Sequence, residues 1–478
     1  MKSENVSRTV LACGVGAVLA ATALLYGPEL FGRTPPPAPG PAQRAANAAN
    51  AGAQAALPDL VALIGDREQW LKAHPGDDAS WAVLGAAYTE RGLRRGDAAD
   101  FPRAESALKR SLAELPAARG NVDAQLGMAA LANARGDWKS AKEWGERVRK
   151  ANPKRWSAYP VLIDAYNGLG DYKAAQKATE TLADLHSGAA VSTRSAQLFR
   201  DHGWREDAGA AALDAVALAE TGADKAAALA RLGDLAWERG EPAEALNQYG
   251  TALRVVRDHG PSLAGRARAL AALGRPQEAV QAWRAALERL PLPEYLLEAG
   301  ELYESLDLDG DAQALYERLR TGSWTRAEAV LGLLEADHGD PAQAVRRLRA
   351  EWDRGHRSVQ VADALGWALH RSGESKEALE YAKRATDLGL RSALFAYHRG
   401  EIERALDDYG PARRHVSEAL RTNPYFSPRL APRAREAVTA LGDPPDELPK
   451  ELRPEEPAKQ APPTKTVTQK AVTQRAVP

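Results

Sequence analysis

The sequence predicts an all-α chain: a stack of antiparallel helix pairs with no β-sheet. Three observations carry this. Glycines recur at an interval of thirty-four residues, from Gly136 to Gly170, Gly240 to Gly274 and Gly339 to Gly373. Alanine lies four or five residues beyond most turn glycines (Ala141, Ala175, Ala208, Ala245, Ala279, Ala344, Ala378), and several cycles close on proline (Pro116, Pro153, Pro291, Pro424). No segment reads convincingly as a strand. Each position has a physical reason. Glycine ends a first helix in a conformation other residues resist, and Asp137, Asp171 and Asp340 suit the start of a second. Alanine lets the second helix approach the first closely, and proline stops it. One such pair cannot bury its apolar face alone, whereas stacked pairs can.

Taken in order, the chain opens with Lys2 and Arg8 before an uncharged run from Thr9 to Tyr26. As a helix these eighteen residues span roughly 27 Å, just enough to cross a membrane. Residues 1–27 are therefore read as a signal or single-pass anchor. The flanking charges weakly favour a cytoplasmic N-terminus, leaving the rest outside. A retained anchor, holding the chain at the membrane through residues 9–26, is preferred. Cleavage near Ala23, which would release a secreted protein, is the alternative. Cys13 is the sole cysteine, so no disulfide forms within the chain. Residues 28–56, with Pro35, Pro36, Pro37, Pro39 and Pro41 followed by Ala, Asn and Gln, read as a stiff spacer entering weakly structured chain.

Residues 57–441 hold the array. A half-unit, Leu57 to Pro75, carries Trp70; about ten units run from Asp78 to Pro424; a final helix, Pro428 to Leu441, closes the stack. Trp81, Leu84, Gly85 and Tyr88 open the first unit, which continues through Gly92, Ala104, Leu108 and Pro116 after a seven-residue insertion. Later units include Tyr159, Leu162, Tyr166, Gly170 and Ala175, then Leu232, Gly233, Gly240, Ala245, Tyr249 and Ala252. Others are Leu270, Gly274, Ala279, Trp283, Ala286 and Pro291, and Gly300, Tyr303, Ala312 and Tyr316. The units from Val122 and Ala189 lack aromatic anchors. Beyond the array, residues 442–478 are Pro, Glu, Lys and Thr rich, acidic first and basic at the end, and are expected to be a disordered tail.

These residues resemble the tetratricopeptide repeat family, whose pattern opens W-x2-L-G-x2-Y and continues with Gly, Ala, an aromatic, Ala and Pro. The resemblance implies a right-handed superhelix, and the arginine-rich composition and apolar N-terminal run add the expectation of a bacterial protein that is membrane-anchored or exported. It also implies that first helices line a concave groove. Carried over position by position, the groove candidates are Asn133, Asp164, Asn167, Gln197, Arg200, Asp234, Trp237, Arg268, Glu301, Glu304, Asp363, Trp367, His370, Tyr397, Glu401 and Arg404. No unit has the Lys and Asn pair of the carboxylate clamp.

Charge and motifs bound the function. With 63 Lys and Arg against 64 Asp and Glu, the net charge of −1 supplies no general cationic field for nucleic acid. Asp-His-Gly occurs at 201–203, 258–260 and 337–339, with two of the histidines placed to cap first helices. Asp307, Asp309 and Asp311 resemble a calcium loop, but Gly310 comes too early and the twelfth position is Arg318. No metal site, cofactor, nucleotide loop or nucleophile motif is expected. The expected function is a non-enzymatic envelope scaffold that binds an unidentified protein or peptide in its groove. The alternative is an exported module that binds a non-protein ligand such as envelope polysaccharide.

Overall fold

A computed structural model describes residues 38–442, which fold into twenty-three α-helices with no strand among them. A leading pair, α1 (Pro41–Ala51) and α2 (Leu57–Ala73), precedes ten further pairs. These are α3 (Asp78–Arg95) with α4 (Asp100–Glu114), α5 (Val122–Arg135) with α6 (Trp138–Ala151), and α7 (Ala158–Leu169) with α8 (Tyr172–Leu185). Next come α9 (Ala189–Asp201) with α10 (Arg205–Ala217), α11 (Gly222–Glu238) with α12 (Pro242–Val255), and α13 (Gly260–Ala272) with α14 (Pro276–Arg289). Then follow α15 (Pro293–Glu304) with α16 (Asp309–Thr321), α17 (Glu328–His338) with α18 (Pro341–Asp353), and α19 (Val359–Arg371) with α20 (Ser375–Thr386). The last pair is α21 (Ala393–Arg404) with α22 (Tyr409–Thr422), and α23 (Leu430–Leu441) closes the stack.

Local chemistry sets these ends. The side chains of Asp77, Asn121, Asp137 and Asp171 each accept a backbone N–H in the first turn of the helix they precede. At two turns without glycine, Asp307 and Asp407 adopt the left-handed conformation instead, with φ of 59° and 60°. The aspartates near 307 thus form a turn and the first turn of α16.

One packing pattern recurs along the array: a glycine on a first helix receives a large side chain from a second. Tyr249 of α12 is fully buried between Gly233 of α11 and Gly265 of α13. Gly300 with Tyr316, Gly332 with Leu348 and Gly400 with Val416 repeat the arrangement, each pair sixteen residues apart. Gly85 and Leu108 are twenty-three apart because the first unit carries the inserted residues. A methyl group at any of these glycines would overlap the knob, so the small residue is a packing requirement.

The stack winds until later units meet earlier ones. The turn glycines Gly96, Gly136, Gly170, Gly203 and Gly240 lie against Leu290, Arg326, Arg357, Gly389 and Pro424, chain that is 184 to 194 residues further on. Each turn thus rests on the junction five to six units later. Across this seam the Val359 N–H donates to the Tyr172 hydroxyl at 2.7 Å, and Asn423 Nδ2 donates to the Trp237 carbonyl at 2.8 Å. Arg326 lies 4.8 Å from the Trp138 ring centre. At the other end, Thr221 Oγ1 donates to the Gln54 carbonyl at 2.7 Å, which ties the leading pair to α11.

Two expectations are corrected. The spacer placed at 28–56 contains α1, whose Ala45 and Ala48 are buried; alanine combines the highest helix propensity with a side chain small enough for close helix contact. Localisation at the membrane by an N-terminal anchor is also corrected. Among the described residues no helix is long and apolar enough to cross a membrane. The longest, α3, is eighteen residues but carries Asp78, Glu90, Arg91, Arg94 and Arg95. Residues 9–26, Ala23 and the tail from 443 lie outside the described residues.

Candidate functional site

The first helices face the inside of the winding, and there neighbouring units bond to one another. Asn133 Nδ2 donates to the Val161 carbonyl at 2.8 Å, Arg194 pairs with Asp164 at 3.3 Å, and Arg200 pairs with Glu238 at 2.6 Å. Arg268 forms a two-point pair with Glu298, and Trp367 Nε1 donates to Asp337 at 3.1 Å. The buried His398 and Asp363 meet at 3.0 Å. Many groove candidates therefore act first as ties between repeats.

Other candidates bond locally. Gln197 donates to Asp201 at 2.7 Å, Asp234 accepts from Tyr249 at 2.8 Å, and Glu304 accepts from Tyr316 at 3.1 Å. His370 Nδ1 lies 3.0 Å from Ser375 Oγ, and burial lowers its pKa to about 4, so it is neutral near pH 7. Glu401 pairs with Arg404 at 2.7 Å, and Asn167 borders a small hollow shared with Asp164 and Gln197. The groove candidates Trp367 and Tyr397 are only 4% and 3% exposed. They fill space against one another, His398 and Phe426.

Trp237, Arg268 and Glu301 do converge. They border a cavity of about 620 Å³, the size of a small-ligand or side-chain pocket, between α11, α13, α15, α17, α21 and the segment Pro424–Arg435. Its apolar walls come from Ala271, Leu297, Leu302, Val330, Leu333 and Phe426. The C-terminal segment returns over the concave face because Arg429 bonds Asp337 and reaches Glu301 at 3.7 Å, while Ser427 Oγ donates to Glu301 at 3.2 Å.

The carboxylates give the cavity its electrostatics. Burial pushes Glu301 up to about 7, with the Arg429 charge pulling it down and Asp337 pushing it further up. Glu294 is open to water but ringed by the concave wall, and that enclosure raises its pKa. The two edges therefore differ: Arg268 and Glu298 compensate one another, whereas Glu294 has no cation bonded to it among the described residues.

Repeat positions alone did not reveal Glu294, Leu297, Phe426 or Arg429. The one available signal was Pro424-Tyr425-Phe426-Ser427-Pro428, two aromatics held between prolines just after the last unit. The three Asp-His-Gly sites diverge. His202 stacks on Trp204, His259 precedes α13 and bonds Ser262 at 2.7 Å, and His338 ends α17 beside Tyr316. Burial lowers the pKa of His259 and His338, so neither is a charged cap. Among the described residues no group of three or more His, Cys, Asp or Glu could hold a metal ion.

No protein-family model matches the sequence, and no curated protein matches it. Solved structures do resemble it. The Cut9-Hcn1 hetero-tetramer of the APC/C is 14% identical with a TM-score of 0.42, over 81% of this chain and 82% of that one. A human IFIT1 dimer with PPP-AAAA is 13% identical with a TM-score of 0.44, over 76% and 89%. A tetratricopeptide repeat protein from Parabacteroides merdae ATCC 43184 is 19% identical with a TM-score of 0.33, over 53% and 98%. The chain's own stacked pairs, their glycine turns and their thirty-four-residue interval make its fold an all-α solenoid of the tetratricopeptide type.

Proposed function

We propose that the chain is a non-enzymatic scaffold that binds a protein or peptide partner in the cavity between α11, α15 and the returning segment Pro424–Arg435. The single observation that carries this reading is the convergence of Trp237, Arg268 and Glu301 on one apolar hollow. Elsewhere on the concave face, candidate side chains are spent on neighbours. A half-buried Trp beside aliphatic walls and a polar rim is the composition of a binding hot spot. Such a pocket takes one large apolar side chain of a peptide, with the carboxylates and Arg268 reading the polar groups on either side.

The test compares Trp237→Ala with Trp204→Ala in the full chain, since Trp204 is 46% exposed and lies outside the cavity. Trp237→Ala should weaken a partner captured by the unmodified protein by about 30-fold, the effect of a hot-spot residue worth about 2 kcal/mol. Trp204→Ala should leave capture intact. Equal capture by both variants, with both folded, contradicts the proposal.

A further inference from the structure

The fourth contact of the seam brings arginines together. Gly203 lies against the Gly389 carbonyl; Arg205 opens α10 two residues beyond the first of these, and Arg391 stands two residues beyond the second. Arg200, Arg205, Arg239 and Arg391 border a hollow of about 10 Å³ whose one carboxylate is Glu238, and none of its lining residues borders the larger cavity. Three of the four guanidinium groups are matched. Arg200 pairs with Glu238 and Arg239 with Glu241, each at 2.6 Å, while Arg391 reaches Glu418 at 3.4 Å. Arg205 bonds no carboxylate among the described residues, and its Nη2 is closed to water and donates to nothing there. We propose that the hollow is an oxyanion site, in which one oxygen of a phosphate or carboxylate group accepts from Arg205 Nη2 and holds this part of the seam closed.

Charge separates an anion from a water molecule as the occupant. A guanidinium does not give up its proton inside a protein, and an unmatched buried charge is costly. Water would satisfy the N–H but leave that charge in place. Burial, and after it the Arg391 charge, lowers the pKa of Arg205, and the pull of Glu238 and Glu206 does not restore it; Arg200, matched by Glu238, is raised. Size sets how the ligand enters. A hollow of about 10 Å³ is close to a single water-sized sphere, so one oxygen fits inside and the rest of the group stays at the mouth. The Arg391 side chain there is 58% exposed, and its long bond to Glu418 leaves it able to turn to the ligand. Short charge-assisted bonds from guanidinium groups suit phosphate and carboxylate oxygens alike. Arg205 and Arg391 come from opposite sides of the seam, so an anion between them favours the closed winding over the open one.

Hydrogen exchange of the full chain over residues 203–208 and 388–394 tests the site, with sodium phosphate or sodium acetate replacing part of the sodium chloride at constant ionic strength. The proposal expects at least one of the two anions to slow exchange there about fivefold once it stands at about four times its dissociation constant. Protection by phosphate alone assigns a phosphate group, by acetate alone a carboxylate, and by both a site that reads the shared oxygen. Arg205→Gln and Arg391→Gln should each lose the response, and Arg147→Gln, at an exposed arginine of α6, should keep it. No protection by either anion, a full response in Arg205→Gln, or protection spread evenly along the array would each overturn the proposal. Should Arg205→Gln not fold, an unchanged response in Arg391→Gln overturns it equally. Partner capture plays no part in this readout, so its result is separate from that of the cavity.

Discussion

The seam can be opened at one point by Gly170→Ala. A methyl there would stand 2.7 Å from the Arg357 carbonyl carbon and closer still to its oxygen, and both are backbone atoms of a unit five junctions away. Gly373→Ala is the control, because Gly373 also has positive φ, 91°, but no described residue lies within 4 Å of its Cβ position. Both variants carry the left-handed strain of about 1–2 kcal/mol, so their difference isolates the seam. Relieving the overlap moves the two turns apart by about 1.3 Å, the distance that brings the carbonyl oxygen to an ordinary contact near 3.4 Å. That motion stretches the 2.7 Å bond from the Val359 N–H to the Tyr172 hydroxyl. Val359 opens α19, so its N–H has no partner within the helix. Losing the bond costs about 1 kcal/mol, with about 1–3 more if the donor stays buried. Hydrogen exchange over residues 356–362 should therefore accelerate about tenfold or more in Gly170→Ala and much less in Gly373→Ala. Equal exchange in the two variants would mean that the turns do not bear on one another.

Other outcomes follow from the same packing and charge. Tyr249→Ala, which empties a fully buried site between Gly233 and Gly265, should destabilise α11–α13 by about 3–5 kcal/mol. Tyr249→Phe should cost only about 1 kcal/mol, for the bond to Asp234; denaturant titration checks both. Glu301 binds its proton more tightly folded than unfolded, since its pKa is raised from 4.5 to about 7. Its contribution to stability is thus present at low pH and is lost as pH rises from about 4.5 through 7. The full swing is at most about 3 kcal/mol, and Glu301→Gln should flatten that part of the stability profile. His370 has the opposite sign. Its folded pKa near 4 lies below the ordinary 6.5, so it costs stability as pH falls from 6.5 towards 4, and carbon-resolved NMR titration should find it neutral at pH 5.5.

The units were legible because their signals are local. A glycine turn, an alanine contact and a following cap lie within ten residues of one another, so Asp137 and Asp171 cap the helices their sequence suggested. Helical position also supplied the groove candidates on the first helices. It did not reveal what covers them. Trp367 is buried because Tyr397 and His398 of the next first helix pack against it. The seam left no sequence mark, because its five junctions use Leu290, Arg326, Arg357, Gly389 and Pro424, four residue types with no shared pattern except distance along the chain. The cavity wall contributed by Phe426 and Arg429 was hidden for the same reason: a closing helix that folds back is set by Arg429 bonding Asp337, ninety-two residues earlier. The leading helix is obscured in the sequence because the prolines of Pro35–Pro41 run directly into the alanines that form it.

Residue-specific photo-crosslinking in the native cell bears most directly on the binding cavity, with the probe at Leu297 on its wall or at Leu213, which is 59% exposed on α10. A partner peptide joined to position 297 and absent from 213 is the predicted result. The same partners recovered equally from both positions, or none from 297, would contradict a binding role for the cavity.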